Sequence, residues 1–139
     1  DERRSYVPAQ SFPVYKIVPA PSGTSIVARG HAYAPPDIAA RHPHAAFFPA
    51  PAGELNRVFP SGSLLLVDPN LRPWNGCCVV AALDARTVLV RRFAQAKGMV
   101  ALSCHSFTVQ TPDIVVDQRR VRILGVVVWF QAGHDMGEA

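Results

Sequence analysis

The sequence predicts an all-β domain, a curled sheet or partial barrel with little helix. Three observations predict it. Short apolar runs of strand length follow one another at close spacing, with turn residues between them. Thirteen prolines punctuate the chain, and all but Pro112 lie at or before Pro73, where they disfavour long helices and central strands alike. A length of 139 residues and a hydrophobic share of 49% suffice for one domain to bury a core without staples.

The elements follow in order. Residues 1–11, DERRSYVPAQS, are polar and charged and are assigned as a linker stub. FPVYKIV (12–18) is a short strand, PAPSG (19–23) a turn, and TSIVAR (24–29) a second strand. PPDIAARH (35–42) makes about one helical turn, opened by proline. AAFF (45–48) starts a buried strand. SLLLVD (63–68) lies between a Pro-Ser-Gly corner and an Asp-Pro stop. CCVVAAL (77–83) and RTVLVRRFA (86–94) are joined by the short link Asp84-Ala85, and MVALS (99–103) follows the Lys97-Gly98 turn. RVRILGVVVWF (120–130) is a long β-branched run that closes the domain, 12–132, and residues 133–139 are assigned as a disordered tail. There is no internal repeat, low-complexity tract or helix-turn-helix pattern.

Charge and composition exclude several functions. No apolar run approaches the roughly 18–20 residues a membrane helix needs. The opening DERRSYVPAQ has no apolar core and is not a signal peptide. A net charge of +4 is only mildly basic. The arginine clusters Arg91/Arg92 and Arg119/Arg120/Arg122 are split between faces by strand alternation, so they are read as solvated or as dimer salt bridges, not as a nucleic-acid surface. Charged residues make up 17% of the chain, below the roughly 25% usual for soluble domains, which favours an oligomer or a docking face. Adjacent Cys77 and Cys78 point to opposite sides of a strand, so they form neither a disulfide nor a chelate, and the reducing cytoplasm is the expected compartment. Metal ligation is not expected: His42 and His44, and Cys104 with His105, lack zinc spacings, and loop histidines beside proline are usually solvated. Ser61 and Ser63 flank Gly62 as ordinary turn residues, not nucleophiles.

Five pieces in order, NRVFPSGSLLLVDP, NGCCVVAAL, TVLVRRF, GMVALSCHS and ILGVVVWF, resemble the C-terminal domain of the LexA/UmuD/phage-repressor family of self-cleaving Ser-Lys peptidases. The resemblance spans residues 12–130. It implies a mostly β fold, a homodimer and a cytoplasmic role in a transcriptional regulator of the phage-repressor or SOS-response type. It also implies DNA contact only through a separate N-terminal helix-turn-helix domain, and an antirepressor or a recombinase-type coprotease as a further partner.

The family's chemistry needs a serine nucleophile, in a Gly-Asp-Ser-Met motif, and a neutral lysine base, in a Val-Lys-Arg-Leu strand. Aligned without gaps, AGELNRV sets Glu54 on the serine position and Leu55 on the methionine. Sliding by one puts Leu55 on the serine, and neither register offers a hydroxyl. LVRRF sets Arg91 on the lysine position, and arginine cannot serve as a general base. The equivalent of the cleavage loop, VPAPSG, with Pro19, Ala20, Ser22 and Gly23, has two prolines and no Ala-Gly or Cys-Gly bond. Cys104 and Ser106 stand where the family often has Ser and Asn. The sequence therefore predicts a pseudoenzyme that has no catalytic residue and takes no cofactor.

Two points stay open. Glu54 and Arg91 either meet as a bidentate ion pair that shuts the old site, or Glu54 lies on an exposed turn and Arg91 points into water. The closing strand is apolar on both faces, so Val126, Val128, Trp129 and Phe130 either build the dimer interface that the resemblance implies or lie inside one chain. The resulting expectation is a dimerisation domain of a LexA-like regulator. Its alternatives are a live self-cleaving peptidase of the family, which would need a neutral lysine (only Lys16 and Lys97 are present), and a sensor that binds a ligand or an antirepressor in the defunct cleft.

Overall fold

The computed structural model describes residues 10–108 and 110–132. Among the described residues, nine strands and one short α-helix appear in the order β1 (Gln10–Ala20), β2 (Gly23–Ala34), α1 (Pro36–Arg41), β3 (Ala46–Pro49), β4 (Leu64–Asp68), β5 (Cys78–Leu83), β6 (Thr87–Ala96), β7 (Met99–Ser103), β8 (Ile114–Asp117) and β9 (Val121–Gln131), with a 3-10 turn at Gln118–Arg120 between β8 and β9. They form a single open sheet ordered β2-β1-β3-β4-β9-β5-β6-β7-β8. All pairings are antiparallel except β1 with β3. The all-β expectation holds, and each strand named from the sequence is present, with small shifts at its ends except for the second, read as residues 24–29 and running on to Ala34. Gln10 and Ser11, read above as lead-in, pair with Ala34 and Tyr33 at the start of β1. Residues 133–139 lie outside the described residues.

One strand was missed. IVVD, residues 114–117, is too short to announce itself; β8 exists because it pairs with β7 from Met99↔Asp117 to Leu102↔Ile114.

Strand β9 lies between β4 and β5 and organises the core. Leu124 is an extra residue against β5, where pairing passes from Val80↔Gly125 to Ala81↔Ile123. Val128 is another against β4, where it passes from Leu66↔Trp129 to Val67↔Val127. Each bulge resets the alternation of side chains. Leu124 and Val127 therefore pack on a cluster of Phe48, Leu55, Phe59, Leu65, Val67, Cys78, Val80 and Val90. Val126 joins a second cluster with Cys77, Val79, Ala81, Phe93, Val100 and Leu102. Val128 and Trp129 both cover a third, built on Phe12, Ala34, Phe47 and Leu66.

The β1–β2 hairpin is anchored at its tip. Thr24 donates its backbone N–H to the Arg86 carbonyl at 2.8 Å, and its Oγ1 accepts the Val88 N–H at 2.6 Å. Gly23 makes the approach possible, since a Cβ there would lie 2.2 Å from the Arg86 oxygen at a φ of +150°. This docking sets β1 across the start of β6.

Candidate functional site

Where β1 crosses the start of β6, a cleft of about 440 Å³ opens. Its walls are apolar: Ile17, Phe48, Pro49, Ala50, Pro51, Ala52, Val88, Leu89 and Val90. Its charged residues are Lys16 from β1, Glu54 from the turn before β4, and Arg91 from β6. The volume is within the range of small-molecule sites.

The turn carrying Glu54, residues 52–58, is held from below and from the side. Leu55 is buried in the first core cluster, and its carbonyl accepts the N–H groups of Val58 and Phe59, both at 2.9 Å. The segment after β7 clamps it laterally. His105 donates its N–H to the Glu54 carbonyl at 2.7 Å, and Arg57 donates its N–H to the His105 carbonyl at 3.0 Å. Asn56 accepts the Phe107 N–H on Oδ1 at 2.8 Å and donates from Nδ2 to Thr108 Oγ1 at 3.2 Å. The Arg57 guanidinium stacks over the Phe107 ring at 4.5 Å. Glu54 is thus fixed by its backbone, while its half-buried side chain is left to the cleft.

Arg91 is 92% buried, in contrast to the expectation of a solvated arginine. No ion pair joins it to Glu54, so the bidentate tie is not formed either. Its Nη1 is buried without a hydrogen-bond partner among the described residues. Burial of an unpaired cation is costly, which makes this nitrogen the main unmet electrostatic demand of the site. Arg92, one residue on, is exposed and donates to His105 Nδ1 at 2.7 Å. The opposite surroundings of Arg91 and Arg92 are what strand alternation requires.

The other candidate residues fall elsewhere. Pro19, Ala20, Ser22 and Gly23 form the hairpin tip and do not line the cleft; Lys16 and Ile17 do. Ser63 is fully buried, and its Oγ donates to the Pro60 carbonyl at 2.6 Å. His42 is not a solvated loop histidine: its Nδ1 lies 2.7 Å from Oδ2 of buried Asp68. Among the described residues no cluster of three metal-ligating side chains occurs. Arg119 and Arg120 are paired within the chain, to Asp117 at 3.0 Å and Asp84 at 2.7 Å. Those arginines hold both carboxyls below their ordinary range through side-chain hydrogen bonds. On β9, Val126 is completely buried in the chain's own core, Val128 and Trp129 are half-buried against it, and Phe130 is exposed.

Residues 19–128 match a family model described as Peptidase S24-like. The chain belongs to that family. This is the LexA/UmuD family whose resemblance was carried by the five pieces quoted above, and the match covers all of them except the last residues of β9. No curated protein matches the chain significantly. Within this S24-like domain, sequence reasoning named Lys16 only as one of two lysines available to a live peptidase, and did not single out the clamp residue Asn56. Lys16 enters the cleft because β1 is carried across β6 by the hairpin anchor. Asn56 carried a faint signal, as a polar residue inside a tight turn.

Proposed function

We propose that this S24-like domain is a non-cleaving regulatory module that pairs with a second copy of itself and so sets two attached DNA-binding domains on a two-fold operator. One observation carries the loss of cleavage: among the residues that line the cleft, none has a hydroxyl or a thiol. In the gapless alignment Glu54 takes the position of the family's serine and Arg91 that of its lysine, and the register shifted by one sets Leu55 on the serine instead. A carboxylate with a guanidinium supplies neither a nucleophile for acyl transfer nor a base to activate one. Lys16 lies in the cleft but has no hydroxyl beside it to deprotonate. Self-association is supported by the low share of charged residues and by Phe130, exposed at the end of β9, which we propose as the centre of the contact, with Val128 and Trp129 alongside it in the strand. Val126 contributes from the interior by fixing the strand. An antirepressor or a recombinase-type coprotease is the partner class such a module would answer to.

The test is a day's incubation at alkaline pH, followed by intact-mass spectrometry and light scattering. Alkaline conditions deprotonate a dyad lysine and drive self-cleavage in members that retain one. The expected result is an uncut chain at twice the monomer mass. A defined cut near residues 19–23 would sink the non-cleaving reading, and an uncut monomer would sink the pairing.

A further inference from the structure

We infer that the cleft is a receptor for a carboxylate carried on an apolar body, with Arg91 as its anchor. The inference rests on the reading that the cleft no longer cuts, and it names what the cleft does instead. Three observations converge. Arg91 lines the cleft, is 92% buried, and has a guanidinium nitrogen with no acceptor among the described residues. A planar guanidinium is suited to receiving a carboxylate through two parallel hydrogen bonds, and its low-dielectric surroundings strengthen that contact. The charged residues at the cleft are two cations, Lys16 and Arg91, against one carboxylate, Glu54, so the balance favours an incoming anion. The remaining walls are aliphatic, proline and phenylalanine, which suits an apolar chain and offers little to a sugar or a nucleotide base.

Glu54 gives the site a rival occupant. It lines the same cleft, with its backbone clamped by His105 and its side chain unpaired with Arg91. An external carboxylate therefore competes with an internal one, and Glu54 sets the threshold for binding.

The ligand chemistry can come from a free small molecule or from the end of a peptide. The probes are octanoate against octanol, and a short apolar peptide with a free terminal carboxylate against its terminal amide, each titrated calorimetrically into the unmodified domain. The charged member of at least one pair should bind about tenfold or more tighter than its neutral counterpart, as a charge-assisted bidentate contact predicts. Preference for octanoate identifies a small-molecule source, and preference for the peptide a chain terminus. Arg91→Met removes a buried charge while keeping length, and should abolish the preference with its fold intact by circular dichroism. Glu54→Gln should tighten the charged probe. The inference is overturned if neither charged probe binds, if charged and neutral members bind alike, or if Arg91→Met keeps the preference. The comparison on the unmodified domain does not depend on any variant folding. An intact mass taken on the same sample separates the two ideas: a cut chain refutes the non-cleaving reading, whereas an uncut chain without charge preference refutes the receptor alone.

Discussion

Cys77 and Cys78 face different core clusters because neighbouring residues on a strand point to opposite sides. Burial pushes both thiols up, Cys78 to about 11, where the charge of Cys77 adds to the effect. A thiol reacts as its thiolate, so burial disfavours the reactive form of both at neutral pH. Cys104 is half-exposed on the segment after β7. Iodoacetamide at neutral pH should therefore label Cys104 alone in the folded protein and all three thiols in denaturant. Peptide mapping that finds Cys78 labelled first would contradict the packing. His42 and Asp68 make a second residue-scale case. Asp68 accepts from His42 and, through Oδ1, from the Asn70 N–H at 2.8 Å. Asp68→Ala leaves both donors without this acceptor and should cost about 1–3 kcal/mol in urea unfolding; an unchanged midpoint would show the pair to be ornamental. The cysteines were legible from the sequence because alternation is a local rule. The pairing of His42 was not, since its partner lies 26 residues away at the end of β4, which returns beside β3. Arg91 shows the same limit. Its position on the strand was legible, but its burial and lack of a partner depend on how the turn around Glu54 is clamped.

Strand β9 carries the main element-scale lesson. The run RVRILGVVVWF announces a long strand, and apolar residues on both faces announce cover on both sides. The structure supplies cover from within the chain, by placing β9 between β4 and β5. Its two bulges were not legible, because a bulge is a property of the pairing and not of one strand. Gly125 sits between them. A Cβ at this position would lie 2.5 Å from Val67 Cγ1 and 3.1 Å from the Asp68 carbonyl oxygen. The constraint is space, and the obstacle is partly backbone that cannot swing aside. Gly125→Ala should destabilise by about 1–3 kcal/mol, the usual cost of overfilling a packed core, read as a lower urea midpoint at an unchanged slope. An alanine variant as stable as the parent would mean that β4 and β9 are less closely packed than described. Strand β8 shows the converse: four residues have too little pattern to be read alone, and only the partner β7 defines them.

At the scale of the whole molecule, three core clusters are joined through two strands. Strand β4 gives Leu65 and Val67 to the first cluster and Leu66 to the third. Strand β9 reaches all three through Val127, Val126 and Trp129. None of the three clusters can come apart without disturbing these strands, so they should belong to the last unit to open. The sheet remains open, with β2 at one edge and β8 at the other. Strand β2 is mostly exposed and pairs with β1 alone, and β8 pairs with β7 alone, so both should open locally at low cost. Amide hydrogen exchange on the native protein should rank the hydrogen-bonded amides of β4, β5 and β9 slowest, and those of β2 and β8 fast. The hairpin anchor adds a finer expectation. The Val88 N–H, held by Thr24 Oγ1 at 2.6 Å, depends on β2 remaining docked. Its exchange should follow the opening of β2 and not that of β5, although β6 pairs with β5 from Thr87 to Arg92. If β2 instead exchanges as slowly as β9, the hairpin is part of the global unit and the cleft beneath β1 is a rigid feature. If the order holds, the wall carrying Lys16 and Ile17 can lift while the floor carrying Arg91 stays folded, giving an apolar ligand a way in without unfolding the core.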